Sequence, residues 1–201
     1  MDVTDALDLV GIFVFAVSGC VVAVRRRFDV VGLVALGTVT GLAGGIARDL
    51  LIGEIPPVAL REWAWLVVPL VAAALVALLP RVVARLHYPV LVFDAAGLGL
   101  FAAVGATRAI DAAVSVPAVV LVGAISAIGG GLLRDVLAGE VPQIFSADSQ
   151  LYAIPASLGA LIVVVGHELD LAVTPVQIVA IGVTFTLRML ALRFDWHAPT
   201  P

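Results

Sequence analysis

Two short stretches combine consecutive glycines with an arginine–aspartate pair inside long apolar runs. The first stretch is AGGIARD at residues 43–49, and the second is GGGLLRD at residues 129–135. A glycine inside a helix costs about 1 kcal/mol relative to alanine, and a charged side chain at membrane depth costs roughly 2.5–3.5 kcal/mol. Because both costs recur in the same order, we expect the two stretches to serve one purpose.

The glycines and the hydroxyl groups near them predict a pathway through a membrane. Irregular backbone at membrane depth is tolerated only where it lines a water-filled cavity, and broken helices form such pathways in proteins built from inverted repeats. We therefore expect helix breaks at Gly44, Gly45, Gly129, Gly130 and Gly131 that line a water-filled cavity. Thr40, Ser126 and Ser18 are expected to add oxygens to the same cavity. Close helix packing is the alternative for glycines, and we favour it for Gly37, Gly41 and Gly123.

The charged residues inside the apolar runs need partners. They are Asp8, Arg48, Asp49, Asp94, Arg134 and Asp135. Each arginine and the aspartate after it are consecutive, so they are not expected to face each other. The depths of Asp8 and Arg48 match, as do those of Asp94 and Arg134, which predicts two ion pairs that line or close opposite ends of one pathway. The alternative is that the pairs are purely structural, or that the arginines reach the interface.

The elements that must position these residues are membrane-spanning helices. Of the 201 residues, 62% are hydrophobic and 13% are charged, whereas soluble domains carry about 25% charged residues. The apolar runs predict an all-α integral membrane domain over residues 1–201. Its seven predicted transmembrane helices lie at residues 9–24, 30–47, 63–80, 88–107, 112–133, 149–166 and 171–187.

The basic residues, all of them arginine, predict the orientation in the membrane. With seven spans, one side receives Arg25, Arg26, Arg27, Arg81, Arg85, Arg188 and Arg193. The positive-inside rule makes that side cytoplasmic, so the N-terminus is expected outside and the C-terminus inside. Trp63, Trp65 and Trp196 fall at helix ends, where an interfacial aromatic belt is the ordinary explanation.

The two halves of the chain align with each other at a shift of 86 residues, without a gap. The matched positions include Asp8 and Asp94, Phe15 and Phe101, Gly44 and Gly130, Arg48 and Arg134, and Glu54 and Glu140. Repeat 1 covers residues 5–80 (helices 1–3) and repeat 2 covers residues 88–166 (helices 4–6), whereas helix 7 at residues 171–193 has no counterpart. Because each repeat has three helices, the second enters the membrane from the opposite side, which predicts a 3+3 inverted repeat.

These motifs resemble those of the prokaryotic TRIC-type (trimeric intracellular cation) channels, a family also described as the glycine transporter domain (UPF0126-like) family. The matching features are Asp8…Gly11…Phe15-Ala16…Ser18-Gly19, Asp29…Gly32, Thr40…Gly44-Gly45…Arg48-Asp49 and Gly129-Gly130-Gly131…Arg134-Asp135. The first glycine of the family's triple is Ala43 here. The resemblance implies a homotrimer in a bacterial or archaeal cytoplasmic membrane, with a pore inside each protomer, lipids at the subunit interfaces, and potassium or sodium ions passing kinked helices 2 and 5.

The function predicted is a potassium-permeable monovalent cation channel, with each pore lined by helices 2 and 5. One alternative is a secondary transporter of glycine or another small solute, whose carboxylate would bind at helix N-termini. A second alternative is a membrane scaffold that transports nothing. The sequence shows no metal or cofactor motif, no nucleophile–base set and no basic patch, so neither an enzyme nor a nucleic-acid partner is expected.

Overall fold

The computed structural model describes residues 2–79, 89–145 and 150–197, and it is helical in all three ranges. Its seven helices of at least 16 residues are α1 (Val3–Arg25), α2 (Val30–Leu51), α3 (Trp63–Leu78), α4 (Pro89–Asp111), α5 (Val116–Leu137), α6 (Ala153–Glu168) and α7 (Val173–Phe194). A single helical turn, Val58–Arg61, precedes α3, and a 3₁₀ turn, Gln143–Phe145, precedes α6. Arg81 and Arg85, which the orientation argument uses, lie outside the described residues.

The helices identify a multi-pass membrane protein. Five of them, α1, α2, α4, α5 and α7, are long and apolar enough to cross a membrane. The two others, α3 and α6, are apolar but have 16 residues each, or about 24 Å of helix, which is shorter than the roughly 30 Å hydrocarbon core of a bilayer. The count of seven spans therefore stays a prediction.

The apolar runs locate each of these seven helices but misplace several of their ends. The predicted runs end at charged residues, whereas the structure includes many of these residues in the helices. At the start of α1, Asp2 accepts a hydrogen bond from the Asp5 backbone N–H at 2.7 Å, and Asp5 accepts one from the Asp2 backbone at 3.0 Å. This capping box satisfies backbone donors at the helix start, so α1 begins six residues before the predicted run.

Small residues let α2 and α5 approach their neighbours closely, as predicted. A Cβ atom added to Gly37 would lie 2.3 Å from the Cys20 sulfur, and one on Gly41 would lie 2.9 Å from the Ile12 carbonyl oxygen. On α5, a Cβ on Gly123 would lie 2.8 Å from an alanine side chain of α6. The prediction of close packing at these three glycines is confirmed, and it fixes α2 against α1 and α5 against α6.

The helices α1 and α4 meet through equivalent residues of the two repeats. The rings of Phe15 and Phe101 stack with their centroids 5.4 Å apart and an interplanar angle of 15°. Gly11 lies against Phe101, and Gly97 lies against Phe15. The contact is therefore reciprocal, with each repeat providing one phenylalanine and one glycine to make room for its partner.

Candidate ion pathway

The first charge cluster comprises Asp8, Arg48, Asp49 and Trp65, all of them buried. The Arg48 guanidinium donates to both carboxylate oxygens of Asp8, at 3.2 and 3.1 Å, and its Nε donates to Asp49 at 2.8 Å. The Trp65 indole N–H points at the same Asp8 carboxylate, 3.4 Å from Oδ2. Three helices, α1, α2 and α3, thus meet at one buried cluster.

The second charge cluster comprises Asp94, Arg134, Asp135 and Tyr152, also buried. Arg134 donates from Nη1 to Asp94 Oδ1 at 2.7 Å and from Nε to Asp135 Oδ1 at 2.9 Å. The Tyr152 hydroxyl donates to the same Asp94 oxygen at 3.2 Å. Arg134 also donates to Ser18 Oγ of α1 at 2.7 Å, which ties repeat 1 to the cluster of repeat 2.

Both predicted ion pairs form, but the expectation about the neighbouring aspartates is wrong. Each arginine also binds the aspartate that follows it, because its long, flexible side chain brings Nε within 2.8 or 2.9 Å of the adjacent carboxylate. The second oxygen of that carboxylate accepts a backbone N–H from the next helical turn, from Val58 to Asp49 at 2.9 Å and from Gln143 to Asp135 at 3.2 Å. The aspartates thereby connect each arginine to the segment that leads into the third helix of its repeat.

The two clusters differ in how many carboxylate oxygens accept hydrogen bonds on the aspartate from the first helix of the repeat, Asp8 or Asp94. Both oxygens of Asp8 accept hydrogen bonds. At Asp94, Oδ1 accepts from Arg134 and Tyr152, whereas Oδ2 is buried and has no partner among the residues that the structure describes. A buried carboxylate oxygen without a partner is costly, so the second cluster is the less completely satisfied of the two.

The helices α2 and α5 are continuous through their glycines, which corrects the expected interruption. Both are α-helical over their full 22 residues. They cross in direct backbone contact: a Cβ on Gly44 would lie 2.1 Å from the Ser126 carbonyl oxygen, and one on Gly130 would lie 2.3 Å from that of Thr40. Glycine is needed at these two positions because only a residue without a side chain allows this approach.

The remaining glycines of the two stretches have different surroundings. A Cβ on Gly129 would lie 3.2 Å from the Gly44 Cα, at the edge of the same crossing. One on Gly131 would lie 2.4 Å from the Tyr152 hydroxyl, whereas one on Gly45 would meet nothing closer than 3.7 Å. Four of the five glycines are therefore sterically constrained, and Gly45 is not.

The hydroxyl groups of Thr40, Ser18 and Ser126, which are predicted to line the pathway, lie in separate contacts. Thr40 Oγ1 donates to the Leu36 carbonyl oxygen at 2.6 Å within α2, and Ser18 accepts from Arg134. Ser126 Oγ is buried without a hydrogen-bond partner in the described part of the chain. It lies 3.1 Å from the position of a Cβ on Gly105, at the contact of α5 with α4. The structure therefore does not bring these three oxygens together.

Two cavities open at opposite ends of the helices, and each reaches one charge cluster. The first vestibule, of about 550 Å³, is lined by Asp5, Asp49, Ile52, Glu54, Val58, Arg61, Glu62, Ala64, Trp65, Arg108, Asp111 and Ala112. The second vestibule, of about 240 Å³, is lined by Val22, Arg25, Arg26, Val90, Leu91, Arg134, Asp135, Glu140 and Gln143. Since the start of α1 borders the first and its end borders the second, the vestibules lie on opposite faces, with the α2–α5 crossing between the clusters.

Sequence reasoning missed the aromatic residue of each cluster. The position of Trp65 at a helix end predicts an interfacial belt, but Trp65 is only 7% exposed, in contrast to Trp63 at 74%. Tyr152 plays the corresponding part at Asp94. The repeat could have revealed the correspondence, but Tyr152 stands one position beyond the residue that the 86-residue shift aligns with Trp65. A gapless alignment therefore hides the pair.

Comparison with known proteins places the chain in a family. The glycine transporter family model matches residues 5–81 and 91–168. The UPF0126 membrane protein of Deinococcus radiodurans is 43% identical over 154 residues, covering 77% of this chain and 72% of that protein. The UPF0126 inner membrane protein YadS of Escherichia coli K12 is 34% identical over 197 residues, covering 97% and 93%.

Solved structures agree over the whole chain. The TRIC trimeric intracellular cation channel orthologue from Rhodobacter sphaeroides has a TM-score of 0.91 at 32% identity, covering 97% of this chain and 100% of that one. The chain belongs to the glycine transporter family, the family of the prokaryotic TRIC-type proteins. Another TRIC cation channel of this family gives a TM-score of 0.88 at 36% identity, covering 100% and 98%. The resemblance read from the sequence is confirmed.

Proposed function

We propose that this protein is a monovalent cation channel, permeable to potassium, with a pathway inside each protomer. The observation that carries the proposal is the pair of vestibules on opposite faces, each ending at a buried charge cluster, with the α2–α5 glycine crossing between them. The likeness to solved TRIC cation channels supports it. Ions move from one vestibule to the other along α2 and α5.

The pathway is closed in this arrangement and opens when α2 and α5 separate at their glycines. Backbone contacts at Gly44 and Gly130 leave no room for an ion at the crossing. On opening, the helices bend at the glycines of both stretches, and the bend exposes backbone carbonyls to water. These glycines are Gly44, Gly45, Gly129, Gly130 and Gly131. The hydroxyl groups of Thr40, Ser126 and Ser18 then add oxygens to the open pathway.

The charge clusters close the two ends until the pathway opens. In each cluster an arginine of α2 or α5 is held by an aspartate of the first helix of the repeat. Separation of α2 from α1, or of α5 from α4, must break that pair. Asp8, Arg48 and Asp49 thus control the first vestibule, and Asp94, Arg134 and Asp135 control the second.

The membrane topology consists of seven spans, in which residues 5–80 and 88–166 form an inverted repeat and α7 is an addition. The reciprocal contact of Phe15 with Phe101 and the equivalent charge clusters support two like halves. The N-terminus lies outside and the C-terminus in the cytoplasm. The first vestibule then faces the outside of the cytoplasmic membrane and the second faces the cytoplasm. The Escherichia coli relative is named an inner membrane protein, which supports this location.

The assembly is a homotrimer with lipids at the subunit interfaces. The Rhodobacter sphaeroides orthologue is described as trimeric. Native mass spectrometry of the purified protein in detergent is expected to give three times the 20.7 kDa chain mass, with bound lipid adding to it. A monomer that still conducts ions would remove the trimer from the proposal and leave the pathway within the protomer.

The test of the function is purified protein in lipid bilayers under a potassium gradient, with current and labelled-glycine uptake recorded on the same preparation. A channel gives single-channel currents that reverse near the potassium equilibrium potential. Saturable glycine uptake without such currents would overturn the proposal in favour of a secondary transporter. The absence of both, in protein shown to be folded, would leave a membrane scaffold.

A matched pair of glycine variants separates the pathway from general damage to helices. Gly130→Leu places a side chain at the crossing and is expected to abolish the current. Gly182→Leu is the control, because a Cβ on Gly182 of α7 meets nothing within 4 Å. Both proteins are compared for size and thermal unfolding, so that a lost current is interpreted only in folded protein.

A further inference from the structure

Helix α7 belongs to neither repeat, yet one of its residues is built into the second charge cluster. We infer that Arg188 is a positioning residue that holds Tyr152, and through it Asp94, so that the two ends of the pathway open unequally. The inference rests on the proposed function for its effect on ion flow. The positioning of Tyr152 and Asp94 by Arg188 can be tested without measuring ion flow.

The Arg188 guanidinium is buried and its contacts are specific. Nη1 donates to the carbonyl oxygens of Gln150 and Leu151, at 2.9 and 2.8 Å, and Nη2 donates to the side-chain oxygen of Gln143. Its central carbon lies 4.8 Å from the centre of the Tyr152 ring. The planar fork of arginine is suited to binding several acceptors while stacking on an aromatic face. One side chain of α7 therefore fixes the backbone at residues 150 and 151, just before α6, and also the ring of Tyr152.

Tyr152 passes this constraint to the ion pair. Its hydroxyl donates at 3.2 Å to Asp94 Oδ1, the oxygen that also accepts from Arg134 at 2.7 Å. Gln143, which Arg188 also holds, gives its backbone N–H to Asp135. Arg188 thus acts on the cluster through two routes, one ending at each aspartate that binds Arg134.

Among the residues that the structure describes, α7 gives the first charge cluster no equivalent support. Near the other end of α7, Gln177 donates to the hydroxyl oxygens of Thr4 and Thr107, at 3.1 and 3.0 Å. Neither threonine belongs to the cluster around Arg48. A displacement of α7 near Arg188 therefore alters the second end of the pathway and leaves the first end unchanged.

The experiment measures how readily a reagent reaches the second charge cluster, which borders the second vestibule through Arg134 and Asp135, rather than current. In a protein with Cys20→Ala, the substitution Ser18→Cys places the only thiol beside Arg134, and its rate of reaction with a charged methanethiosulfonate reagent reports opening. Arg188→Lys keeps the positive charge but loses the fork, and it is expected to raise the rate about tenfold. Arg193→Lys, at an exposed position on the same helix, is the matched control and is expected to leave the rate unchanged.

Tyr152→Phe tests whether Arg188 acts through the tyrosine, because it removes the hydroxyl and keeps the ring. We expect it to raise the labelling rate as Arg188→Lys does, and the double variant to show no further increase. An unchanged rate in Arg188→Lys, or increases that multiply in the double variant, would overturn the inference. If Arg188→Lys does not fold, Tyr152→Phe alone must still raise the rate.

The outcome stays separate from that of the proposed function. Accelerated labelling in a protein that carries no current would uphold the positioning role and reject the channel. Normal potassium currents, together with a labelling rate that does not change in Arg188→Lys, would uphold the channel and reject the positioning role. In a conducting protein, Arg188→Lys is expected to raise the open probability without changing the unitary conductance, since Arg188 lines neither vestibule.

Discussion

Each buried arginine of the charge clusters is surrounded by hydrogen-bond acceptors that the fold holds in position. Removing an ion pair from water is costly, and the attraction between the ions compensates only where additional hydrogen bonds complete the geometry. Arg48 has three hydrogen bonds, all to the carboxylates of Asp8 and Asp49, whereas Arg134 has two to carboxylates and one to the Ser18 hydroxyl. The energetic consequence is that loss of one partner leaves a buried charge uncompensated.

Amide substitutions are expected to distinguish the two aspartates. In Asp8→Asn the new NH₂ group must face a donor, because both Asp8 oxygens accept hydrogen bonds. In Asp94→Asn the NH₂ group can take the place of Oδ2, which has no partner among the described residues. Asp8→Asn is therefore expected to cost about 3–5 kcal/mol and Asp94→Asn about 1–2 kcal/mol less, measured by unfolding in mixed detergent and SDS micelles.

Glu168→Gln is the control for these amides, because Glu168 is exposed at the end of α6 and surface substitutions usually change stability by less than about 0.5 kcal/mol. Equal losses for Asp8→Asn and Asp94→Asn would show that the unpaired oxygen has no energetic meaning.

The structure also shows why exchanging the charges of a pair is a poor test of it. In the double substitution Asp8→Arg and Arg48→Asp, the carboxylate at position 48 would lie beside Asp49. The guanidinium at position 8 would meet the Trp65 N–H, which now donates to Asp8. Failure of that exchange to restore function would therefore not argue against the pair, and single amide substitutions are the cleaner experiment.

At the scale of the helices, the glycines act as contact surfaces of α2 and α5. Neighbouring glycines on one helix point in different directions, so a glycine cluster is not one functional unit. Gly44 meets the carbonyl of Ser126, whereas Gly45, one position further, has ordinary contact distances. The packing role of a glycine must therefore be distinguished from its effect on the flexibility of the helix.

Alanine at these neighbouring positions is expected to give opposite results. Gly44→Ala must push α2 away from α5, because its Cβ would lie 2.1 Å from a backbone oxygen that cannot move alone; we expect a loss of about 1–3 kcal/mol from overpacking. Gly45→Ala has room and gains helix propensity, so its stability is expected to be unchanged or up to about 1 kcal/mol greater. Thermal unfolding of both variants in detergent is the measurement.

These variants also separate packing from bending. If Gly45→Ala is stable but conducts poorly, the pathway needs the flexibility of Gly45. If Gly45→Ala proves as unstable as Gly44→Ala, the crossing of α2 and α5 at Gly44 does not explain the loss of stability.

At the scale of the whole molecule, the two vestibules differ in charge. The described residues of the first include five carboxylates, Asp5, Asp49, Glu54, Glu62 and Asp111, and two arginines. Those of the second include three arginines and two carboxylates. Clefts of one charge sign concentrate counter-ions, so cations gather at the first vestibule more than at the second.

The resulting prediction is a current that rectifies at low salt. Cations entering from the first vestibule are expected to carry the larger current, and Glu62→Gln with Asp111→Asn is expected to lower it about twofold. The difference should vanish near 1 M KCl, where the screening length falls to about 3 Å. Glu168→Gln, outside the residues that line this vestibule, is the control, and an effect that persists at high salt would point to direct ion binding instead.

The sequence by itself determined the repeat, the two arginine–aspartate pairs and the existence of seven apolar helices, because each follows from spacing along the chain. Asp8 and Asp94 could be assigned to their arginines because matching depth in a membrane needs no knowledge of side-chain direction. Only the tertiary structure decided that Gly44 and Gly130 touch a facing backbone, that Trp65 and Tyr152 complete the clusters, and that Arg188 of α7 supports one of them. The reason is that these helices are apolar on every side, so their hydrophobic pattern does not fix their rotation, and contacts between distant segments depend on that rotation.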